Sequence, residues 1–169
     1  MNKPKMVFFL ACVCLSTFSG PTKAEEPVLV LKRPVMTLDA ARKVANATID
    51  ACRKEGINVT VTVIGRQNQV LAVLRDTLAM EVTVDLSRLK AVTALSMNSV
   101  TGTLTGRYKN PGALEKYEGL LFMPGGAPIE ASGAILGAVG VSGAPDSKID
   151  EKCALEGVKA VTTELEMAM

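Results

Sequence analysis

The C-terminal third of the chain carries short apolar runs separated by glycine-containing turns, and this spacing most constrains the fold. Residues 123–154 read MPGGAPIEASGAILGAVGVSGAPDSKIDEKCA, in which APIEAS and GAILGAVGVSG are each long enough for one strand. Only a tight turn at Ser132-Gly133 separates them, and strands joined by so short a turn pair antiparallel. Gly137 and Gly140 remove side chains from the second strand, so that another backbone or a flat ligand could approach it closely.

The rest of the chain alternates helical and strand patterns. The patterns predict helices over residues 38–55, 86–97 and 148–169, and a hairpin with strands over 58–65 and 70–75. With a further strand beginning at LLFMPGG, the order becomes helix, two strands, helix, three strands, helix. This order predicts an α+β fold, an antiparallel sheet of about five strands with the helices packed on it.

The first 24 residues are typical of a secretory signal peptide. Lys3 and Lys5 precede the apolar run MVFFLACVCLSTF, and small residues precede a cut after Ala24. This run is too short to span a bilayer, and no later segment is long and apolar enough to do so. We therefore expect one mature domain, residues 25–169, in the periplasm or secreted, with no membrane span after cleavage.

Composition excludes several functional classes. Removal of Lys3, Lys5 and Lys23 from the 19 basic residues leaves 16 against 17 acidic residues, a net charge of −1. A chain so balanced has no basic footprint for nucleic acid, and no nucleic-acid partner is expected. The chain contains no histidine, which excludes Ser-His-Asp triads, Cys-His pairs and zinc sites built on histidine.

Two cysteines remain after export, Cys52 and Cys153. Each continues the apolar stripe of a predicted helix, so both thiols should face inward. An oxidising compartment permits a disulfide between them. Two separate buried thiols are an equal alternative, because sequence spacing does not establish the geometry that a bridge requires.

The stretch from Pro124 to Glu151 resembles the signature of the GlcG/HbpS family, which includes the C-terminal domain of PduO-type proteins. The family pattern Pro-Gly-Gly-x-Pro-Ile, then Gly-x-x-x-Gly-x-x-Gly-Val-Ser-Gly and an acidic helix start, is matched throughout. MTLDAARKVANATIDACRKEG and RLKAVTA are similar to the family's first and central helices. The resemblance implies a profilin- or PAS-like GlcG/HbpS fold over residues 25–169, assembly into homo-oligomers, and binding of haem or a related tetrapyrrole.

The first hairpin departs from the family pattern. Where the family has Val-Val-Asp-x-x-Gly, this chain has VIGRQNQ, with Gly65 in place of the aspartate and Asn68 in place of the glycine. Further on, Arg75 and Ala79 match the family, whereas Thr77 replaces a second aspartate. The C-terminal signature is thus retained while the front of the expected pocket differs, which leaves the ligand open.

For a tetrapyrrole, the residue chemistry and the resemblance together indicate a set of binding candidates. The axial ligand to the iron could be Met80, Met97, Met123, Tyr108, Tyr117 or one of the two cysteines. Tyr108 and Tyr117, in the polar loop 98–119, are the preferred candidates for ferric haem. Cations for the propionates could come from Arg75, Lys90 or Arg107, and Arg75 and Lys90 are preferred because they match family positions. The glycine loop and the strand that follows complete the set with Gly125, Gly126, Pro128 and Ser142.

Structural roles compete with each of these assignments. The glycines could serve only turns and tight helix–sheet packing. Arg75 and Lys90 could form buried ion pairs with Asp76 or Asp85. Glu115 and Glu118 lie one helical turn apart and form a candidate iron site with oxygen ligands, but such a pair also suits a solvated helix face.

Three functions stay open. The leading hypothesis is an exported small-molecule-binding protein that binds haem or a related tetrapyrrole without turnover. The second is a non-haem accessory or oligomeric partner protein, which binds a small anion or metabolite at the glycine loop near Lys90. The third is a haem-degrading enzyme, although no constellation of proton-transfer residues points to turnover and no catalytic residue is assigned.

Overall fold

The computed structural model describes residues 28–108 and 114–169. The predicted signal peptide lies outside the described residues and stays a prediction. Residues 28–32 belong to a separate unit, in which the apolar side chains of Val28 to Leu31 are exposed. Residues 33–169 form the unit that contains the sheet and the helices.

Helices and strands alternate along the chain. Helix α1 spans Leu38–Lys54, α2 spans Thr83–Met97 and α3 spans Ser147–Met167. The strands are β1 (Thr60–Gly65), β2 (Val70–Arg75), β3 (Gly126–Ala131) and β4 (Ala134–Ser142). Two short 3₁₀ turns, Thr101–Leu104 and Leu114–Lys116, lie between α2 and β3.

The sheet described here has four strands rather than about five. Its order is β2-β1-β4-β3, and all neighbours are antiparallel. The segment LLFMPGG, expected to begin a strand, joins the sheet only at its last residue, Gly126. Leu121 instead donates its amide to the Thr93 hydroxyl of α2, 2.7 Å away, so this segment runs along the helix. The predicted α+β class with an antiparallel sheet is confirmed.

Local capping residues set where the helices begin. Thr37 caps α1 as predicted, and Asp146 caps α3. α2 begins at Thr83, three residues before the predicted start, and Asp85 does not cap it. The Thr83 hydroxyl lies 2.6 Å from that of Thr60 on β1, so a contact with the sheet fixes this end of the helix.

The sheet separates two layers. α1 and α3 pack on one face, where Val61 and Val63 of β1 are fully buried in the larger apolar core. α2 covers the opposite face, and there the Thr62 hydroxyl of β1 lies 2.7 Å from the Ser87 hydroxyl of the helix. The two-residue period of β1 therefore sends valines to one layer and threonines to the other.

A disulfide joins Cys52 of α1 to Cys153 of α3, with Cα atoms 5.3 Å apart. Both residues are buried. The sequence left open whether these cysteines form a disulfide or remain two separate thiols, and the structure contains the disulfide. It connects the two helices that pack on the same face of the sheet. Within residues 28–108 and 114–169, no helix is both long and apolar enough to cross a membrane.

Candidate functional site

Lys90 of α2 is the centre of a buried polar cluster. Its side chain is 2% exposed, and Nζ donates to Oδ2 of Asp150 at 2.8 Å and to the Val141 carbonyl at 2.9 Å. An ion pair was one of the predicted roles for Lys90, but its partner is Asp150 of α3 rather than Asp76 or Asp85. The pair connects α2 to α3.

The Asp150 carboxylate is held by several donors. Oδ1 accepts from the Ala144 amide at 2.9 Å, while Oδ2 accepts from Lys90. Burial raises the pKa of Asp150 above its ordinary value, and Lys90 and the amides of Ala144 and Gly143 act in the opposite direction. The acidic helix start of the signature therefore supplies a structural partner for the central helix.

The glycine loop, residues 124–128, turns tightly around this pair. Gly125 has φ +126, and a Cβ there would lie 2.7 Å from the Val141 carbonyl oxygen and 2.8 Å from Lys90 Nζ. Its amide donates to Glu151 at 3.3 Å, and the Gly126 amide donates to Thr101 Oγ1 at 2.8 Å. Because both amides are used within the fold, the loop does not form an open cradle for an anion.

The glycines of β4 serve close approach between backbones. A Cβ on Gly140 would overlap the Ser87 carbonyl oxygen and lie 2.6 Å from the Ala91 amide, both on α2. A Cβ on Gly137 would overlap the Ile64 carbonyl of the neighbouring strand. The sequence allowed either another backbone or a flat ligand to lie close to this strand. In the structure, backbone atoms occupy the space beside both glycines.

Pro128 and Ser142 lie at different places in the sheet. Pro128 is half-buried on β3 and lines a cavity of about 400 Å³ together with residues of α3 and of the segment between α2 and β3. Ser142 is 5% exposed at the end of β4, opposite Thr60. The structure does not bring these two residues to one surface pocket.

Arg75 lies at the exposed end of β2. Its Nε and a terminal nitrogen donate to the Ala79 carbonyl at 3.1 and 2.7 Å, so the side chain closes the turn after the strand. The neighbouring Asp76 pairs with Arg53 of α1 at 2.7 Å instead. The predicted alternative of an Arg75 ion pair with Asp76 or Asp85 is therefore absent from the described contacts.

The two tyrosines flank residues 109–113, which lie outside the described residues. The Tyr108 ring is half-buried and its centroid lies 5.1 Å from that of Phe122. Tyr117 is 65% exposed. We call residues 107–108 and 114–123 the tyrosine segment; it also carries exposed Leu114 and Met123.

The predicted iron ligands lie in the same segment. Glu118 is exposed, and the side chain of Glu115 lies outside the described part of the chain. Among the residues that the structure describes, no group of three or more His, Cys, Asp or Glu side chains could hold a metal ion. Iron binding by Glu115 and Glu118 stays a prediction.

Sequence reasoning missed the partners of the central helix and one further cationic residue. The sequence pattern predicts only a helix start at Asp150 and Glu151, although a family pattern that contains both a lysine helix and an acidic helix start is a usable signal for their contact. No sequence pattern assigns a role to Arg66, which follows the altered hairpin position. It lines two cavities at the turn end of the sheet.

Fold and cluster together define an α+β protein whose glycine signature encloses a buried ion pair. Its structure is similar to that of HbpS, with 34% identity over 82% of this chain and 99% of that chain and a TM-score of 0.74. It is also similar to protein ORFY from Klebsiella pneumoniae, with 25% identity over 80% and 96% of the two chains and a TM-score of 0.74. The structure of the PduOC haem complex has the same fold, with a TM-score of 0.68. The identity is 22% over 75% of this chain and 95% of that chain, so the likeness is one of fold only.

The model of a family described as "haem degrading protein HbpS-like" matches residues 36–159. The chain therefore belongs to the HbpS-like family, and the predicted family is confirmed. No curated protein matches the chain at a significant level.

Proposed function

We propose that this chain is an exported HbpS-like protein that binds haem or a related tetrapyrrole without turning it over. The observation that carries the proposal is the family match over residues 36–159, with 34% identity to HbpS across 99% of that chain. A protein of the same fold, PduOC, has been crystallised with haem.

The tyrosine segment offers the kinds of group that a haem requires. Tyr117, at 65% exposure, presents a phenol to a surface ligand, and Tyr108 stands beside the aromatic ring of Phe122. Arg107 is exposed and forms no ion pair with the residues described, and its guanidinium could bind a propionate. Bound haem would supply the iron chemistry, and the chain would supply a tyrosinate and a cation.

The other two predicted cations are less suited to this role. The Lys90 ammonium is buried against Asp150 and Val141, and a propionate would have to displace both. Arg75 already donates twice to one carbonyl, although it is exposed. Arg107 therefore becomes the preferred propionate partner.

The test is a haem titration of residues 25–169, followed by the Soret band. We expect a saturable, shifted band, and a band no different from free haem would contradict the proposal. Tyr108→Phe and Tyr117→Phe identify the ligand, because loss of a tyrosinate changes the position of the band. Unchanged spectra in both variants and in the double variant would exclude tyrosine ligation.

Binding without turnover requires a separate test, because the family description names haem degradation. Degradation would need proton-transfer groups near the haem, and the buried Lys90–Asp150 pair is engaged elsewhere. We expect bound haem to bleach with peroxide no faster than free haem. Faster, protein-dependent bleaching would favour the enzyme.

Export is supported by the buried Cys52–Cys153 disulfide, since such bridges form and persist in oxidising compartments. Together with the predicted signal peptide, it favours the periplasm or the exterior. Mass spectrometry of the expressed protein checks this: we expect the mature chain to begin at Glu25 and to carry the intact disulfide. A chain that keeps its first 24 residues in the cytoplasm would contradict the proposal.

We also propose that the chain forms homo-oligomers through β2, the open edge of the sheet. The Asp76 amide donates to the Val59 carbonyl at 3.0 Å, so the backbone groups of Asp76 face β1. Successive residues of an antiparallel strand alternate in this direction, and the backbone groups of Val73 and Arg75 therefore point away from β1. Val70 and Val73 are 49% and 44% exposed on this strand. β2 therefore combines exposed apolar side chains with outward backbone groups that pair with no other strand of the described residues.

The opposite edge, β3, is protected. Thr101 bonds the Gly126 amide, and Pro128 has no amide hydrogen to offer. An antiparallel pair of β2 strands from two copies is the arrangement that a two-fold dimer would use.

Substitution of Val73 tests this arrangement. Its amide lies outside the ladder with β1, so Val73→Pro should preserve the fold while removing a donor from the edge. We expect Val73→Pro and Val73→Lys to lower the mass measured by light scattering, and Leu155→Lys, at a residue of similar exposure on α3, to leave it unchanged. A wild-type monomer, or an unchanged mass in both Val73 variants, would contradict the proposal.

A further inference from the structure

Arg66 lies at the turn between β1 and β2, where two cavities share it and Ile135. The first, of about 260 Å³, is lined by Arg33, Pro34, Arg66, Gly133, Ala134 and Ile135. The second, of about 300 Å³, is lined by Arg66, Asn68, Leu95, Ser96 and Ile135. Their shared residues make them neighbours, and we call the first the arginine cavity.

Hydrogen bonding fixes the Arg66 side chain. It is half-buried, and one terminal nitrogen donates to the Ile135 carbonyl at 2.9 Å. A guanidinium has five N–H donors in a rigid fork, so one such bond orients the group and leaves several donors for a ligand. The remaining donors of Arg66 can bind a planar oxyanion such as a carboxylate or a tetrahedral one such as a phosphate.

Among the described residues, no carboxylate pairs with the two arginines that line the arginine cavity. Arg33 and Arg66 both line it, and neither cavity has an acidic residue among its described lining residues. Neither arginine forms an ion pair within residues 28–108 and 114–169. Two cations that converge on one space repel each other, and an anion between them removes that penalty.

The altered hairpin contributes to this charge balance. Residue 65 is glycine, so no carboxylate stands beside Arg66, and the Gly65 amide closes the turn onto the Gln69 carbonyl at 2.9 Å. Asn68 adopts φ +64 in the same turn and faces the second cavity. The hairpin residues that differ from the family pattern thus lie beside the two cavities.

We propose that the arginine cavity binds an anion that carries a carboxylate or phosphate group, held between Arg33 and Arg66. The second cavity would take an attached apolar or polar portion against Leu95, Ile135 and Ser96. No described residue that lines the two cavities belongs to the tyrosine segment. Its ligand is either a free small oxyanion or a carboxylate of a larger molecule.

Titration of residues 25–169 with inorganic phosphate and with citrate, by calorimetry at low salt, tests the site. We expect saturable binding that weakens with added sodium chloride. Arg66→Gln and Arg33→Gln should each weaken it roughly tenfold or more, because each removes a charged donor pair. Arg42→Gln, at an exposed arginine of α1, serves as the matched control and should change nothing. Arg33 is also exposed, so its variant should fold even if the Arg66 variant does not.

The proposal is overturned if neither anion binds, or if Arg33→Gln and Arg66→Gln behave like Arg42→Gln. A haem titration of the same variants identifies the source of the anion. If Arg66→Gln weakens phosphate binding and leaves the Soret titration unchanged, the ligand is a free oxyanion. If it weakens both and phosphate competes with haem, the ligand is a haem carboxylate. Phosphate binding in a protein that fails to bind haem would contradict the haem proposal alone.

Discussion

At the scale of single residues, Lys90 is the side chain around which the signature is built. Lys90→Met removes the ammonium and leaves the Asp150 carboxylate buried without its ionic partner. Removing one member of such a pair strands an uncompensated charge, and we expect the free energy of unfolding to fall by about 3 kcal/mol. Urea denaturation of both proteins measures the difference, and a loss below about 1 kcal/mol would contradict this role.

The same variant makes a prediction about pH. Without Lys90, burial acts on Asp150 with less opposition, so its pKa rises further above the ordinary value of 3.8. Between the unfolded and folded pKa values the native state then binds a proton that the unfolded chain has released, and stability falls as the pH rises. Lys90→Met should therefore be more destabilised at pH 8 than at pH 5.

A double variant controls both results. Lys90→Met combined with Asp150→Asn leaves no charge to bury, so it should recover part of the lost stability and lose the pH dependence of this site. An equal destabilisation of Lys90→Met at the two pH values would show that Asp150 does not titrate in this range.

Gly125 gives a second prediction at this scale. Gly125→Ala combines an unfavourable φ of +126 with a Cβ 2.7 Å from a carbonyl oxygen, and we expect a loss of about 3 kcal/mol. Gly133→Ala is the matched control, because Gly133 also has positive φ but nothing within 4 Å of a Cβ. It should lose only about 1 kcal/mol by thermal or urea denaturation. Equal losses would show that crowding around Lys90 contributes nothing.

At the scale of elements, Gly140 determines how closely α2 lies on the sheet. A Cβ there would overlap the Ser87 carbonyl, so Gly140→Ala must push the helix outward, and we expect a loss of about 3 kcal/mol in urea denaturation. If the glycine instead made room for a flat ligand, the variant would keep its stability and lose haem binding. The two measurements, made on one variant, separate packing from recognition.

The elements that sequence predicted well are those fixed by neighbouring residues. Thr37 caps α1, and Ser132-Gly133 turns the chain between β3 and β4 with positive φ at both positions, because capping and turn chemistry are local. The start of α2 and the absence of a strand at Leu121 depend on hydrogen bonds to Thr60 and Thr93, which lie 23 and 28 residues away. Periodicity and capping patterns involve only residues close in sequence, so they do not predict contacts over such separations.

The candidate site was harder to predict for the same reason. The glycine signature correctly pointed to close approach, but whether a ligand or a backbone fills the space depends on where α2 lies. Lys90 was singled out by its family position, yet its partner lies 60 residues further along the chain. Arg66 carried no signal because its significance arises only when the two hairpin turns bring it beside Ile135, 69 residues away.

At the scale of the whole molecule, the Cys52–Cys153 disulfide joins the first helix to the last across a sequence separation of 101 residues. The loop it closes contains the entire sheet and α2. Closing a loop of this length restricts the unfolded chain strongly, and we expect Cys52→Ala combined with Cys153→Ala to lower the free energy of unfolding by about 3 kcal/mol. Urea denaturation measures the loss.

Reduction provides a control that changes no residue. Unfolding the wild type in urea with dithiothreitol should move its midpoint toward that of the double variant, whereas dithiothreitol should leave the double variant unaffected. α1 and α3 also meet where Gly157 packs against Thr48, so we expect the reduced protein to keep its secondary structure by circular dichroism at low urea. If reduction leaves the midpoint unchanged, the bridge does not restrict the unfolded chain. Noncovalent packing of α1 against α3 would then account for the stability of this face of the sheet.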